Sequence, residues 1–150
     1  MRLLGLHKGP WRVVAPVLDD SDGSPYCPLL VEFEGLMSGY GKAVVGLFEV
    51  FKRIEKPGPI GLGVKLFHSV DKNSKIYEFV KGDLRLFCFL APQGPICICC
   101  AVLIKKGQAV DKSAVRRTAD LAKNYRDAHE KGLIQFYITD KEGNLVRDKS

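Results

Sequence analysis

Apolar and polar positions follow two rhythms along the chain, one with the spacing of strands and one with that of helices. Residues 11–18 are a β-rich run broken by Pro16, and the turn-rich Asp19-Asp20-Ser21-Asp22-Gly23-Ser24-Pro25 follows. After Pro28, apolar residues at 29, 30, 33 and 36 have helical spacing. Val44, Leu47, Phe48, Phe51 and Ile54 then form one stripe, which predicts a second, amphipathic helix over residues 42–56. Lys52, Arg53, Glu55 and Lys56 lie outside that stripe or at its end, and Pro57-Gly58-Pro59 stops the helix.

From residue 63 the texture becomes that of strands. Val64-Lys65-Leu66-Phe67-His68 alternates, and Asp71-Lys72-Asn73-Ser74 makes a turn. Residues 76–80 and 84–91 flank Lys81-Gly82-Asp83, a short hairpin loop. After the turn Pro92-Gln93-Gly94-Pro95, residues 96–104 are almost wholly apolar, as in a central strand buried on both faces. Asp111 or Ser113 can cap a last helix that runs to about residue 131, with Val115, Ala119, Ala122 and Tyr125 inside. Gly132 ends it. Residues 133–138 admit an added edge strand or a mobile extension, and the first ten residues fit no element. The expected fold is α+β. A mainly antiparallel sheet of four or five strands carries two N-terminal helices and one C-terminal helix on one face. One domain spans 1–150, with its core at about 11–131 and an extension over 132–150.

A chain of 150 residues with an apolar fraction of 46% is enough for one such core. The net charge of +6 changes the picture more, because with a pI of about 9.1 it favours a polyanionic partner, unless it serves only solubility. No run approaches the ~20 apolar residues of a membrane span. The opening Met1-Arg2-Leu3-Leu4-Gly5-Leu6 is interrupted by His7-Lys8-Gly9-Pro10 before a leader core develops, so a cytoplasmic protein is expected. The five cysteines are odd in number and four lie between residues 88 and 100, unlike a disulfide framework. Cys97 and Cys99 should share one face of their strand and Cys100 the other, with no partner pair at zinc spacing; neither a metal nor a cofactor is expected.

A further set of residues carries a family resemblance. Gly58-Pro59-Ile60-Gly61 precedes Lys65-Leu66-Phe67 and then Lys75-Ile76-Tyr77-Glu78-Phe79. Gly82-Asp83-Leu84-Arg85-Leu86-Phe87-Cys88-Phe89 and Leu103-Ile104-Lys105-Lys106-Gly107-Gln108 follow. In order and spacing these resemble the RelE/HigB-like toxins of toxin–antitoxin systems, in particular the phage-derived HigB-like group. The resemblance covers about residues 11–126 and is detailed from Gly58 onward. It implies a RelE-like fold and a metal-independent mRNA endoribonuclease that acts in association with the ribosome and inhibits translation. It also implies a cognate helix-turn-helix antitoxin in a hetero-oligomer. Two departures, Val80 where the family often has arginine and the lack of tyrosine between Lys106 and Asn124, keep open a catalytically inactive RNA- or protein-binding module. A third reading is an interaction module that uses the sheet edge and the apolar residues 133–138.

Cleavage through the RNA 2′-hydroxyl needs cations at the scissile phosphate, a base and an acid. Arg85, inside an apolar strand, asks for a partner and suits a bidentate grip on phosphate. Lys81, Lys105 and Lys106 could complete a cationic cleft, although the lysine pair also suits a guarded strand end. Tyr125 and His129, one turn apart, are candidates for proton transfer, against the plainer reading of a core tyrosine and a helix-end histidine. Arg116, Arg117 and Lys75 are candidates for RNA binding, while Arg116 and Arg117 also fit a solvated helix face. His68, alone on an alternating strand, reads as structural.

Overall fold

The structure, a computed structural model, describes residues 1–105, 107 and 109–149. Its strands are β1 (Arg2–Lys8), β2 (Arg12–Asp19), β3 (Pro25–Tyr26), β4 (Phe67–Asp71), β5 (Ile76–Lys81), β6 (Leu84–Leu90), β7 (Ile96–Ile104), β8 (Gln135–Thr139) and β9 (Leu145–Arg147). The helices are α1 (Pro28–Lys52) and α2 (Lys112–Glu130), with a single 3₁₀ turn at Pro59–Leu62. The strands form one mixed sheet in the order β4-β5-β6-β7-β2-β1-β8-β9, with β3 paired to β2.

This corrects the expected RelE-like fold, including its helices on one face, in several respects. The sheet has nine strands instead of four or five, and it is not mainly one antiparallel meander, because β2 pairs β7 and β1 pairs β8 in parallel. Residues 1–10, left without an element, supply β1; its Leu3 and Leu4 point to opposite faces and are both fully buried. The C-terminal extension is part of the sheet, through β8 and β9. A single helix, α1, stands where two were expected. The two apolar stripes, at residues 29–36 and 44–54, lie on one helix that bends between them, departing from helical geometry at Tyr40 (φ −130°, ψ 24°), between Gly39 and Gly41. Pro28 starts it at a position where a missing N–H costs nothing.

The helices also lie on opposite faces of the sheet. Leu29, Phe33, Leu47 and Phe51 of α1 pack with Phe79, Leu84, Leu86, Cys97 and Cys99 on one side. Ala114, Ala122 and Tyr125 of α2 pack with Ile76, Phe87, Phe89 and Ile98 on the other. That is why β6 and β7 read as continuous apolar runs: every residue of a doubly covered strand meets a core. Cys97 and Cys99 face α1 and Cys100 faces α2, as their parity requires. All five cysteines are free thiols, and burial pushes those of Cys88, Cys99 and Cys100 up. Among the described residues no helix is long and apolar enough to cross a membrane.

Candidate functional site

The face of the sheet under α2 carries a line of polar side chains that alternation alone puts there. In β5, Ile76 and Glu78 point to α2 while Tyr77 and Phe79 point to α1. In β6, Leu84 and Leu86 point to α1, so Arg85 and Phe87 point to α2. Cross-strand partners share a face, and His68 of β4 is the direct partner of Glu78. Four adjacent strands therefore bring His68, Glu78, Arg85 and Lys105, just past β7, to one region of the sheet.

Glu78 is 6% exposed, one of the few buried charged or polar side chains of the molecule. Its Oε1 lies 2.8 Å from Nε2 of His68 and 3.9 Å from Nε of Arg85. The other ring nitrogen of His68, Nδ1, is 2.8 Å from the Val64 carbonyl oxygen. Arg85 Nη1 donates to the carbonyls of Gly82 and Leu84, at 2.8 and 3.0 Å, which holds the guanidinium against its own hairpin. Its buried Nε–H has no hydrogen-bond acceptor among the described residues. Beside this group opens a cleft of about 370 Å³, lined by Glu78, Arg85, Phe87, Leu103 and Lys105 and roofed by residues 109–111. Asp111 is not free to enter it, because its carboxylate caps α2 by accepting from the Ala114 N–H at 2.9 Å.

The cleft continues along α2. Val110 is shared with a second hollow, lined by Val70, Asp71, Lys112, Val115 and Arg116. Ser74 and Ala119 are shared in turn with a third, lined by Lys75, Phe89, Pro92 and Arg126. The trough follows α2 from Asp111 to Arg126, about 22 Å at the helical rise per residue. Its floor is largely apolar. Six cations line it (Arg85, Lys105, Lys112, Arg116, Lys75 and Arg126) against three carboxylates, Glu78, Asp71 and Asp111.

The residues singled out from sequence divide accordingly. Arg85 and Lys105 share the cleft, while Lys75 and Arg116 line the trough beyond it. Lys81 does not join them: its stem lies over Gly46 of α1, on the far face of the sheet. Arg117 lies close enough to Glu32 of α1 to oppose the rise that burial gives that carboxyl. Tyr125 is buried, its ring 5.8 Å from Phe89 and 6.0 Å from His129. Phe89 is four residues along β6 from Arg85, about 13 Å at the strand rise, so Tyr125 and His129 sit at the other end of the trough. Burial pushes the Tyr125 hydroxyl up. Lys106 lies outside the described residues.

Sequence reasoning passed over the pairing of His68 with Glu78. The signal was present, because Glu78 sits between Tyr77 and Phe79 just as Arg85 sits between Leu84 and Leu86. A charge inside an apolar strand asks for a partner in both cases. No family model matches the chain, and no curated protein matches it.

Proposed function

We propose that this chain is a metal-independent endoribonuclease of the RelE/HigB type, acting on mRNA in the cytoplasm in association with the ribosome, as the toxin of a toxin–antitoxin pair. The observation that carries the reading is the trough along α2, an apolar floor edged by six cations and ending at a rigidly held arginine. A single RNA strand needs backbone-tracking cations and apolar surface for its bases. At the Arg85 end, the guanidinium and the Lys105 ammonium meet the charge that builds up on phosphate during attack by the 2′-oxygen. The resemblance from Gly58 onward supplies the rest, including a helix-turn-helix antitoxin that would cover the cationic trough.

The test is induced expression in a bacterial host, wild type beside Arg85→Ala, with growth followed and mRNA ends mapped. The reading expects growth arrest and new mRNA ends, both relieved by the substitution. Healthy growth with intact messages, from soluble protein, would refute it.

One observation favours a second reading, a catalytically silent module that binds RNA. Arg85 already spends Nη1 on two carbonyls of its own hairpin, as a purely structural arginine would. Salt-dependent RNA binding without cleavage is the outcome that selects this reading.

A further inference from the structure

The turn between β4 and β5 holds a lysine in a conformation that suits glycine. Asp71 Oδ1 accepts from the N–H groups of Asn73 and Ser74, at 3.0 and 3.4 Å, and so fixes the turn. Lys75 ends it at φ 56°, the one positive φ outside glycine among the described residues. Glycine adopts that left-handed backbone freely, whereas an L side chain is strained in it. Strain of this kind gathers at binding sites, where a side chain must stand in one place.

Lys75 lines the third hollow of the trough, which at about 560 Å³ falls within the range of small-molecule sites. The opposite side comes from α2, where Ala119, Ala122 and Arg126 share one helix face. The two alanines leave the hollow its room, and Arg126 ends their row. Phe89, Leu90 and Pro92 add an apolar wall. The other two hollows mix cations with carboxylates, but this one has two cations and no carboxylate among its described lining residues. Lys75 and Arg126 form no ion pair among the described residues.

From these features we propose that the third hollow binds a nucleoside phosphomonoester, at a site separate from the Arg85 cleft and independent of any cleavage there. Two cations without carboxylates ask for a dianion. A terminal phosphate carries a charge of about −1.5 to −2 at neutral pH, more than a diester inside a chain. The apolar wall takes the flat face of a base, and the Asn73 amide, which both donates and accepts, reads its edge. A free nucleotide and the phosphorylated end of an RNA strand both carry this group.

The experiment titrates the full chain by calorimetry with the four 5′-ribonucleotides, adenosine, inorganic phosphate and decanoate. A dinucleotide with and without a 3′-terminal phosphate serves as competitor. Lys75→Gly, Arg126→Gln and Arg85→Ala are titrated and melted beside wild type. At least one nucleotide should saturate the protein at millimolar concentration or below, with adenosine and phosphate at least about ten-fold weaker. Lys75→Gly and Arg126→Gln should each lose about 10–100-fold in affinity, the worth of hydrogen bonds to a charged group. Lys75→Gly should melt no lower than wild type, because glycine relieves the backbone, so its lost binding is not lost fold. Arg85→Ala should bind as wild type does. Competition by the phosphorylated dinucleotide alone supports the site and makes RNA ends its source; failure of both dinucleotides to compete supports it with a free nucleotide as source. Equal competition by the unphosphorylated form overturns the proposal. So does adenosine, phosphate or decanoate binding as tightly as the nucleotide, wild-type affinity in Lys75→Gly and Arg126→Gln, or no saturation with any nucleotide. None of these measurements reads cleavage, so a chain that cleaves no message would sink the ribonuclease reading and leave this site standing.

Discussion

Gly58 is where a single methyl group should cost most for its size. Its backbone, at φ 117° and ψ −165°, is in a region that essentially only glycine occupies. Holding alanine there costs on the order of 1–3 kcal/mol. A Cβ at this position would also lie 2.5 Å from Cζ2 and 2.7 Å from Cε2 of Trp11. An indole is rigid and this one packs against the core, so relieving the overlap adds about 1–3 kcal/mol, the usual range for overpacking. Gly58→Ala should therefore lose about 2–6 kcal/mol in all. At roughly 2–4 °C per kcal/mol, that lowers the melting temperature by about 4–24 °C. Gly63→Ala is the matched control, because Gly63 also has positive φ (92°) but nothing lies within 4 Å of its missing Cβ. It should lose only the backbone part, about 1–3 kcal/mol. Trp11 is the one tryptophan in the sequence, so its emission reports the same contact directly. Equal losses for the two alanine variants would refute the reasoning. So would a Gly58→Ala loss that persists undiminished in a Trp11→Ala background.

Three other outcomes are expected. Asp111→Ala removes the α2 cap and should lower stability by about 1 kcal/mol, read by denaturant unfolding, with Asp111→Asn close to wild type. The Arg12 guanidinium lies 3.8 Å from the centre of the Phe136 ring and 3.7 Å from the Asp148 carboxylate. Arg12→Ala should speed hydrogen exchange in β8 and β9 while leaving β6 and β7 protected. Cys88, Cys97 and Cys99 have no exposed surface, so iodoacetamide should label them at the rate of global unfolding. Burial raises Cys88 and Cys99 above the unfolded thiol range; the unfolded chain loses those protons first, and their contribution to stability declines as pH rises past about 8.5.

What the sequence disclosed depended on how local the signal was. The last helix was expected from Asp111 or Ser113 to about residue 131, and α2 spans Lys112–Glu130, because capping and apolar spacing are both local. The strands from β5 to β7 were readable for the same reason. Parallel pairing was not, since nothing within residues 12–19 or 96–104 says that the two will be neighbours. Nor could β1 be recognised, because its two buried residues, Leu3 and Leu4, are adjacent in sequence and face opposite sides, so the strand has no alternation to display. At the site, Arg85 stood out by its apolar neighbours, but Lys81 was wrongly expected beside it. The two-residue turn at Gly82 and Asp83 pairs Lys81 with Leu84 and Val80 with Arg85. That register sends Lys81 to the α1 face, and it could have been worked out from the turn length alone.

The pairing of β1 with β8 bears on the order of folding. Arg2 meets Gln135 and Leu4 meets Tyr137, so these contacts close a loop that contains nearly the whole chain. Loop closure of that size is entropically slow, whereas the β5–β6–β7 hairpins and α2 assemble from neighbours in sequence. The central strands and α2 should form first, and β8 should zip onto a β1 already paired with β2. Until it does, β1 presents an open edge, and at that stage refolding chains are most prone to pair with one another.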